Sequence, residues 1–331
     1  MKWIIVLFLV FSFAATRQIQ AERIITFPLM PTSAFRKALV ASIRLSGASV
    51  TYQKLSLQLA RLDYLRYHSA AHVFGATVYQ LLGNRGIVVC DDRFVFGCFH
   101  GFSIVAVKDK GVAAIPKLIA ACRGQTGKAR GSCLHGIGHG LGEYFGPDRL
   151  DEQFDLCASV DKGNAEKGCP GGVIMQYFEY YSRVSMGPPS VELAYRPFDR
   201  AKPYGPCPIL RAKFQRVCYF TLPGWWWNVI AADASAVADL CQRIENIQHR
   251  DSCFEGSGVM IAQQTKDNRE ETVRLCHMMS AVEAERRCRS AAAAEFWLHP
   301  ESHQKAFTVC EGLSSTEEKK CLHDAHIVEN N

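Results

Sequence analysis

The fourteen cysteines of this 331-residue chain fall into seven pairs at a near-constant spacing, and few folds can carry such a ladder. They are Cys90/Cys98, Cys122/Cys133, Cys157/Cys169, Cys207/Cys218, Cys241/Cys253, Cys276/Cys288 and Cys310/Cys321. Within a pair the separation is 8, 11, 12, 11, 12, 12 and 11 residues, and the second cysteines recur at intervals of 35, 36, 49, 35, 35 and 33. None is left over. An even, exhausted count in an exported chain points to disulfides, although a count does not establish connectivity. Local pairing is the expectation, each bridge closing a loop of about a dozen residues.

Export is read from the N-terminus. Lys2 precedes an apolar run from Trp3 to about Ala15, then polar residues and a small residue at Ala21. Residues 1–21 therefore read as a signal peptide, too short to span a bilayer, which takes roughly twenty apolar residues. No transmembrane segment is expected in the mature chain, and the expected location is secreted or periplasmic, where disulfides persist. Removing Lys2 and Arg17 lowers the formal charge from +6 to +4. The charge is dispersed, which argues against nucleic acid.

A period near 35 with two short amphipathic stretches per unit is the arithmetic of an α-solenoid. After the second cysteine of a unit comes a helix-compatible stretch of about a dozen residues, as in Cys133–Phe145. There Gly146-Pro147-Asp148 makes a turn, and Arg149–Leu156 leads to the next unit's first cysteine. The pattern returns at Cys253–Gln264 and Cys288–Leu298. An earlier unit without cysteines begins near His68, because His68-Ser-Ala-Ala-His72-Val-Phe-Gly75 parallels His135-Gly-Ile-Gly-His139-Gly-Leu-Gly142. The expected fold is all-α, with about eight helix-turn-helix repeats, each linked by a local disulfide. Residues 22–60 read as a cap, 61–331 as the repeat domain, and 177–206 as a loop insertion that accounts for the interval of 49.

With Ala165-Glu166-Lys167-Gly168-Cys169 inside Cys157–Gly172, the units resemble tetratricopeptide and Sel1-type repeats, especially the cysteine-rich Sel1-like proteins. That resemblance spans about residues 60–325 and implies stacked helix pairs stapled by disulfides. The longer cysteine spacing and the His-Gly motifs depart from it, so the family's partner binding does not carry over. The Cys-x-His-Gly units also resemble those of uncharacterised exported proteins.

The cysteines also serve as a ruler. Two residues beyond each second cysteine stand His100, His135, Gly171, Phe220, Glu255, Ser290 and His323, and His68 takes the matching place in the first unit. Four residues further on, the first three units give His72, Ile104 and His139. Residues four apart share a helix face, and equivalent helices of successive repeats stack about 8–10 Å apart. His68, His72, His100, His135 and His139 therefore form one expected patch, with the chemistry to grip a transition metal. Glu143, one turn beyond His139, could join as a ligand or general base. Imidazoles with one carboxylate suit Zn, Cu(II) or Fe(II), and five histidines could hold one ion or two. Any one of these histidines alone would more often be a core residue bonded to a carbonyl.

Gly136, Gly138, Gly140 and Gly142 flank the His135–His139 ridge, echoed by Gly75 and Gly101. Each would cost about 1 kcal/mol relative to Ala in a helix interior. They imply close backbone approach, or room for a ligand. His249, His277, His299 and His303 lie off the register, and His323 with His326 marks only a terminal helix face. No strand precedes Gly136-Ile-Gly138-His-Gly140, and Gly256-Ser257-Gly258 lacks the flanks of a nucleophile elbow, so neither reads as a catalytic loop. The absence of Cys-x-x-Cys-His argues against covalently attached haem.

Trp225-Trp226-Trp227, near Tyr177-Phe178-Glu179-Tyr180-Tyr181, read either as packing beneath the insertion or as an exposed platform. Two functions follow. One is an exported metal-binding protein, a metalloenzyme if Glu143 acts as acid or base. The other is a disulfide-stapled scaffold for a peptide, glycan or envelope-protein partner, with structural histidines.

Overall fold

Two helix-start signals recur along the chain. Asp233, Asn246, Asn268 and Ser314 each accept a hydrogen bond from a backbone N–H two or three residues on, satisfying donors that have no partner inside the helix. Proline stands in the first turn after Ile115 and after Cys169, where its missing N–H costs nothing. The computed structural model describes residues 32–60, 62, 64–160, 168–182, 192–230, 233–298 and 302–327. The expected signal peptide, the first ten residues of the cap, the middle of the insertion and His299 lie outside the described residues.

The described chain is helical almost throughout, and it divides into two compact units. The first is built on residues up to 144. Its helices are α1 (Thr32–Ser46), α2 (Ala48–Leu59), α3 (Tyr64–Leu82), α4 (Gly97–Lys110), α5 (Ile115–Arg123) and α6 (Gly127–Phe145). The cap thus forms two helices, and Tyr52 of α2 stacks on Phe74 of α3 at 4.8 Å. Helix α3 lies along α4, and α4 meets α6 through Gly136 and Gly140.

The second unit holds α7 (Leu150–Val160), α8 (Cys169–Phe178), α9 (Ala212–Val229), α10 (Ala234–Gln242), α11 (Ile247–Thr265), α12 (Arg269–His277), α13 (Val282–Phe296), α14 (His303–Val309) and α15 (Ser315–Asp324). The long helices pack in order, α8 on α9, α9 on α11, α11 on α13 and α13 on α15. The insertion is more than a loop. After α8 the chain forms β1 (Glu179–Ser182), which pairs with β2 (Glu192–Tyr195).

All seven disulfides form between the expected local partners, and no cysteine is free. In the first unit Cys90 joins Cys98 and Cys122 joins Cys133. In the second the bridges are Cys157–Cys169, Cys207–Cys218, Cys241–Cys253, Cys276–Cys288 and Cys310–Cys321. Each ties a short element to the helix after it, so consecutive helices cannot slide along one another. Seven bridges suggest an oxidising environment, where disulfides persist. Among the described residues, no helix is long and apolar enough to cross a membrane.

One part of the repeat reading needs correction. The stretch after each second cysteine is helical, but in five of the seven units the helix begins six residues before that cysteine, whereas α8 opens at Cys169 and α4 at Gly97, just before Cys98. Cys218 is the seventh residue of α9, which opens at Ala212, and Cys133, Cys253, Cys288 and Cys321 are likewise the seventh residues of their helices. A bridge needs its two Cα atoms close, 5.4 Å apart for Cys207–Cys218, so the cysteine marks where the two elements meet. In α9 the residues before that point, Ala212 to Val217, are already helical, with Phe214 and Val217 facing the core. Two residues past Cys218, the carbonyl of Phe220 takes the close approach of Gly256 on α11, so there the register position serves backbone contact.

Trp225 and Trp226 are buried. Trp225 stacks on Phe178 at 4.6 Å and donates its indole N–H to the Arg196 carbonyl at 2.6 Å. Trp226 donates to the Pro203 carbonyl at 2.8 Å. These two rings pack beneath the returning arm of the insertion, as one of the two sequence readings expected, and only Trp227 is half-buried.

Candidate metal centre

Three helices of the first unit supply the histidines. Helix α3 carries His68 and His72, α4 carries His100, and α6 carries His135 and His139. The spacing of four sets each pair on one helix face, and the glycines let the helices close. A Cβ added at Gly101 would lie 1.9 Å from the His72 carbonyl oxygen, and one at Gly75 would lie 1.9 Å from that of Cys98. Gly136 faces the Phe99 carbonyl and Gly140 that of Ser103, each 2.7–2.8 Å from where a Cβ would stand. The glycine cost is therefore spent on backbone contact between α3, α4 and α6.

At these separations all five imidazoles converge. His72 Nε2 lies 3.1 Å from His68 Nε2 and 3.2 Å from His100 Nδ1. His139 Nε2 lies 3.2 Å from His135 Nε2. Two triads result, His68–His72–His100 and His100–His135–His139, each offering one nitrogen per ring with all three within 4.8 Å of one another. His100 belongs to both. Its ring centroid is 5.2 and 5.0 Å from those of His68 and His72, and 5.1 and 4.0 Å from those of His135 and His139. No carboxylate joins either triad among the described residues. Glu143, half-buried on the next turn of α6, lies outside both.

The electrostatics favour neutral rings. Every one of the five is at most 4% exposed. Burial holds His68 down to about 4, against the opposing pull of its bond to the Phe94 carbonyl. Burial first, and then the neighbouring imidazoles, hold His72 and His100 well below the usual imidazole range. Neutral imidazoles keep lone pairs for a cation at physiological pH.

The protons do not close among themselves. His68 Nδ1 donates to the Phe94 carbonyl at 2.9 Å, which leaves its Nε2 as a lone pair. A proton on His72 Nε2 could then serve His68. If His100 Nδ1 shares it as an acceptor, the N–H of His100 must sit on Nε2, which is buried with no hydrogen-bond partner among the described residues. If Nδ1 carries the proton instead, two N–H groups face each other. Ser103 Oγ, one turn along α4, is buried and equally unpartnered. A cation among the lone pairs would resolve the conflict. A tetrahedral ion with ligands at 2.0–2.1 Å holds adjacent nitrogens about 3.3–3.4 Å apart, and an octahedral one about 2.9 Å. The observed 3.1–3.2 Å lies between these values.

A feature that sequence reasoning missed completes the site. Phe94, Val95 and Phe96 all adopt left-handed backbone, with φ of 58°, 50° and 64°. Side-chain-bearing residues pay about 1–2 kcal/mol each for this. The turn is enclosed by the Cys90–Cys98 bridge. It delivers the Phe94 carbonyl to His68 and stands Phe96 edge-on to His100 and His135, at 6.3 and 6.0 Å. None of the three left-handed positions is glycine or asparagine, so residue type there gave no signal.

The remaining described histidines belong to the second unit. His249 stacks on Tyr219, His303 stacks on Trp297, His277 pairs with Glu285 and His323 with Asp324. At the same register position in the second unit, Glu255 forms ion pairs with Arg216 and Arg287. No family model, curated protein or solved structure matches the chain.

Proposed function

We propose that this is an exported metalloprotein that holds a transition metal in the five-histidine centre of its first unit. One observation carries the reading: five buried imidazoles from three helices converge in two triads whose ring nitrogens lie within 4.8 Å of one another, with no acidic partner in either triad among the described residues. The seven disulfides fit export, since an oxidising compartment is where they endure. An all-imidazole set suits Zn or copper, whereas Fe(II) sites commonly add a carboxylate, and the nearest turn of α6 offers only Glu143 for that role. The burial of the centre supports holding an ion, or passing one on, over chemistry on a bulky substrate.

Metal analysis of the purified, tag-free, disulfide-intact protein tests this. Stoichiometric Zn, Cu or Fe is expected, and it should be lost in His135→Ala with His139→Ala while helicity is kept. A metal-free wild type that binds none of these ions on titration would sink the proposal and leave the interaction scaffold as the better reading.

A further inference from the structure

We infer that His100 is a bridging ligand, its ring deprotonated to imidazolate and joining two metal ions, one in each triad; this rests on the metal-binding reading above. The centre is not a ring of equivalent histidines. Two are paired on α3, two are paired on α6, and the single histidine of α4 lies between them. His100 is the one residue common to both triads and the only fully inaccessible one of the five. Its repeat mate four residues on is Ile104, so α4 supplies one ring where its neighbours supply two. A terminal ligand uses one nitrogen and gives the other to a hydrogen-bond acceptor, as His68 does with Phe94. His100 does otherwise. Its Nδ1 faces His72 at 3.2 Å, while its Nε2 is buried with no hydrogen-bond partner among the described residues. A second ion supplies what that nitrogen lacks.

Bridging is a proton-for-metal exchange. The N–H bond of His100 breaks, its electron pair forms the second N–metal bond, and the proton leaves to solvent. No electron is transferred and both ions stay divalent. The other four histidines bind as neutral rings, so bridging releases one proton that terminal ligation would not. The negative charge of the imidazolate also offsets part of the charge of two cations in a site without carboxylates.

Copper(II) alone, titrated into the full-length mature protein, provides the test. Two ions should bind per chain, and the doubly loaded protein should lose most of its electron-paramagnetic signal through coupling across the shared ring. Filling the other position with Zn(II) should restore the full signal of the remaining copper. His100→Gln, which cannot form imidazolate, should show full signal for whatever copper it binds and release one proton fewer. One ion at saturation in the wild type, or two with undiminished signal, overturns the bridge and leaves the metalloprotein reading standing. Coupling that persists in His100→Gln also overturns it. A wild type that takes up no ion defeats both. If His100→Gln does not fold, the wild-type stoichiometry and coupling still decide.

Discussion

A single methyl group at Gly101 should dismantle the centre without touching a histidine. The Cβ of Gly101→Ala would lie 1.9 Å from the carbonyl oxygen of His72, with the carbonyl carbon and Cα at 2.6 and 2.7 Å. These are backbone atoms of α3, so no side chain can swing clear. To reach even 3.0 Å, α3 and α4 must part by at least 1.1 Å. His72 Nε2 and His100 Nδ1 are now 3.2 Å apart, so a move along that line takes them to about 4.3 Å. Two nitrogens bound to one ion at 2.0–2.1 Å can never be more than about 4.2 Å apart, even in line. One of the two must therefore let go.

The expected result is a loss of metal affinity of roughly a hundredfold or more, measured by competition with a chelator of known affinity. The metal-free variant should also be less stable by about 1–3 kcal/mol, from overpacking. Gly131→Ala on α6 is the control, because nothing lies within 4 Å of its added Cβ. It should gain about 0.5–1 kcal/mol from reduced unfolded-chain freedom and bind metal normally. If Gly101→Ala binds as the wild type does, or Gly131→Ala is equally damaging, the account of close helix approach is wrong.

Two further perturbations separate the units. Glu179 is buried near the start of the insertion, and burial pushes its carboxyl up to about 7 from an ordinary 4.5. A raised folded value gives stability that is full below the unfolded value and lost as pH rises through the folded one; here that is about 3 kcal/mol across pH 4.5 to 7. Glu179→Gln should flatten that slope in denaturant titrations at stepped pH, and an unchanged slope would refute the assignment. Removing the Cys90–Cys98 bridge by double serine substitution should cost about 2–3 kcal/mol and free the left-handed turn that holds His68, weakening metal binding about 10–100-fold. Removing Cys310–Cys321 should cost a similar amount and leave metal binding unchanged. Equal effects on metal binding would show that the turn does not orient the site.

Periodicity made much of this legible in advance. A covalent pattern repeated seven times reports helix pairing directly, and its register put five histidines on three neighbouring helices. The glycines beside them announced close contact because their cost in a helix needs a return. The helix starts were less legible, as before Cys218 where six helical residues precede the cysteine, because a crossing point carries a covalent mark and a helix end often does not. What stayed hidden depends on contacts between segments remote in sequence. His68 is oriented by a carbonyl 26 residues away, at the end of a turn whose three side-chain-bearing residues disguise it. The central place of His100 was invisible, since the register showed it only as the row with one histidine missing. The tryptophans were ambiguous for the same reason: what covers Trp225 and Trp226 is the backbone of Arg196 and Pro203, which carries no residue-type signal.

The locality of the disulfides has a consequence for biogenesis. Fourteen thiols can be joined in roughly 10⁵ ways, and the chain must find one of them. Here every cysteine's partner is the next cysteine along or the one just before it, never more than 12 residues away. A chain entering an oxidising environment from its N-terminus onward would present the two thiols of each pair close together in time. Oxidation in that order would yield the native set without later reshuffling.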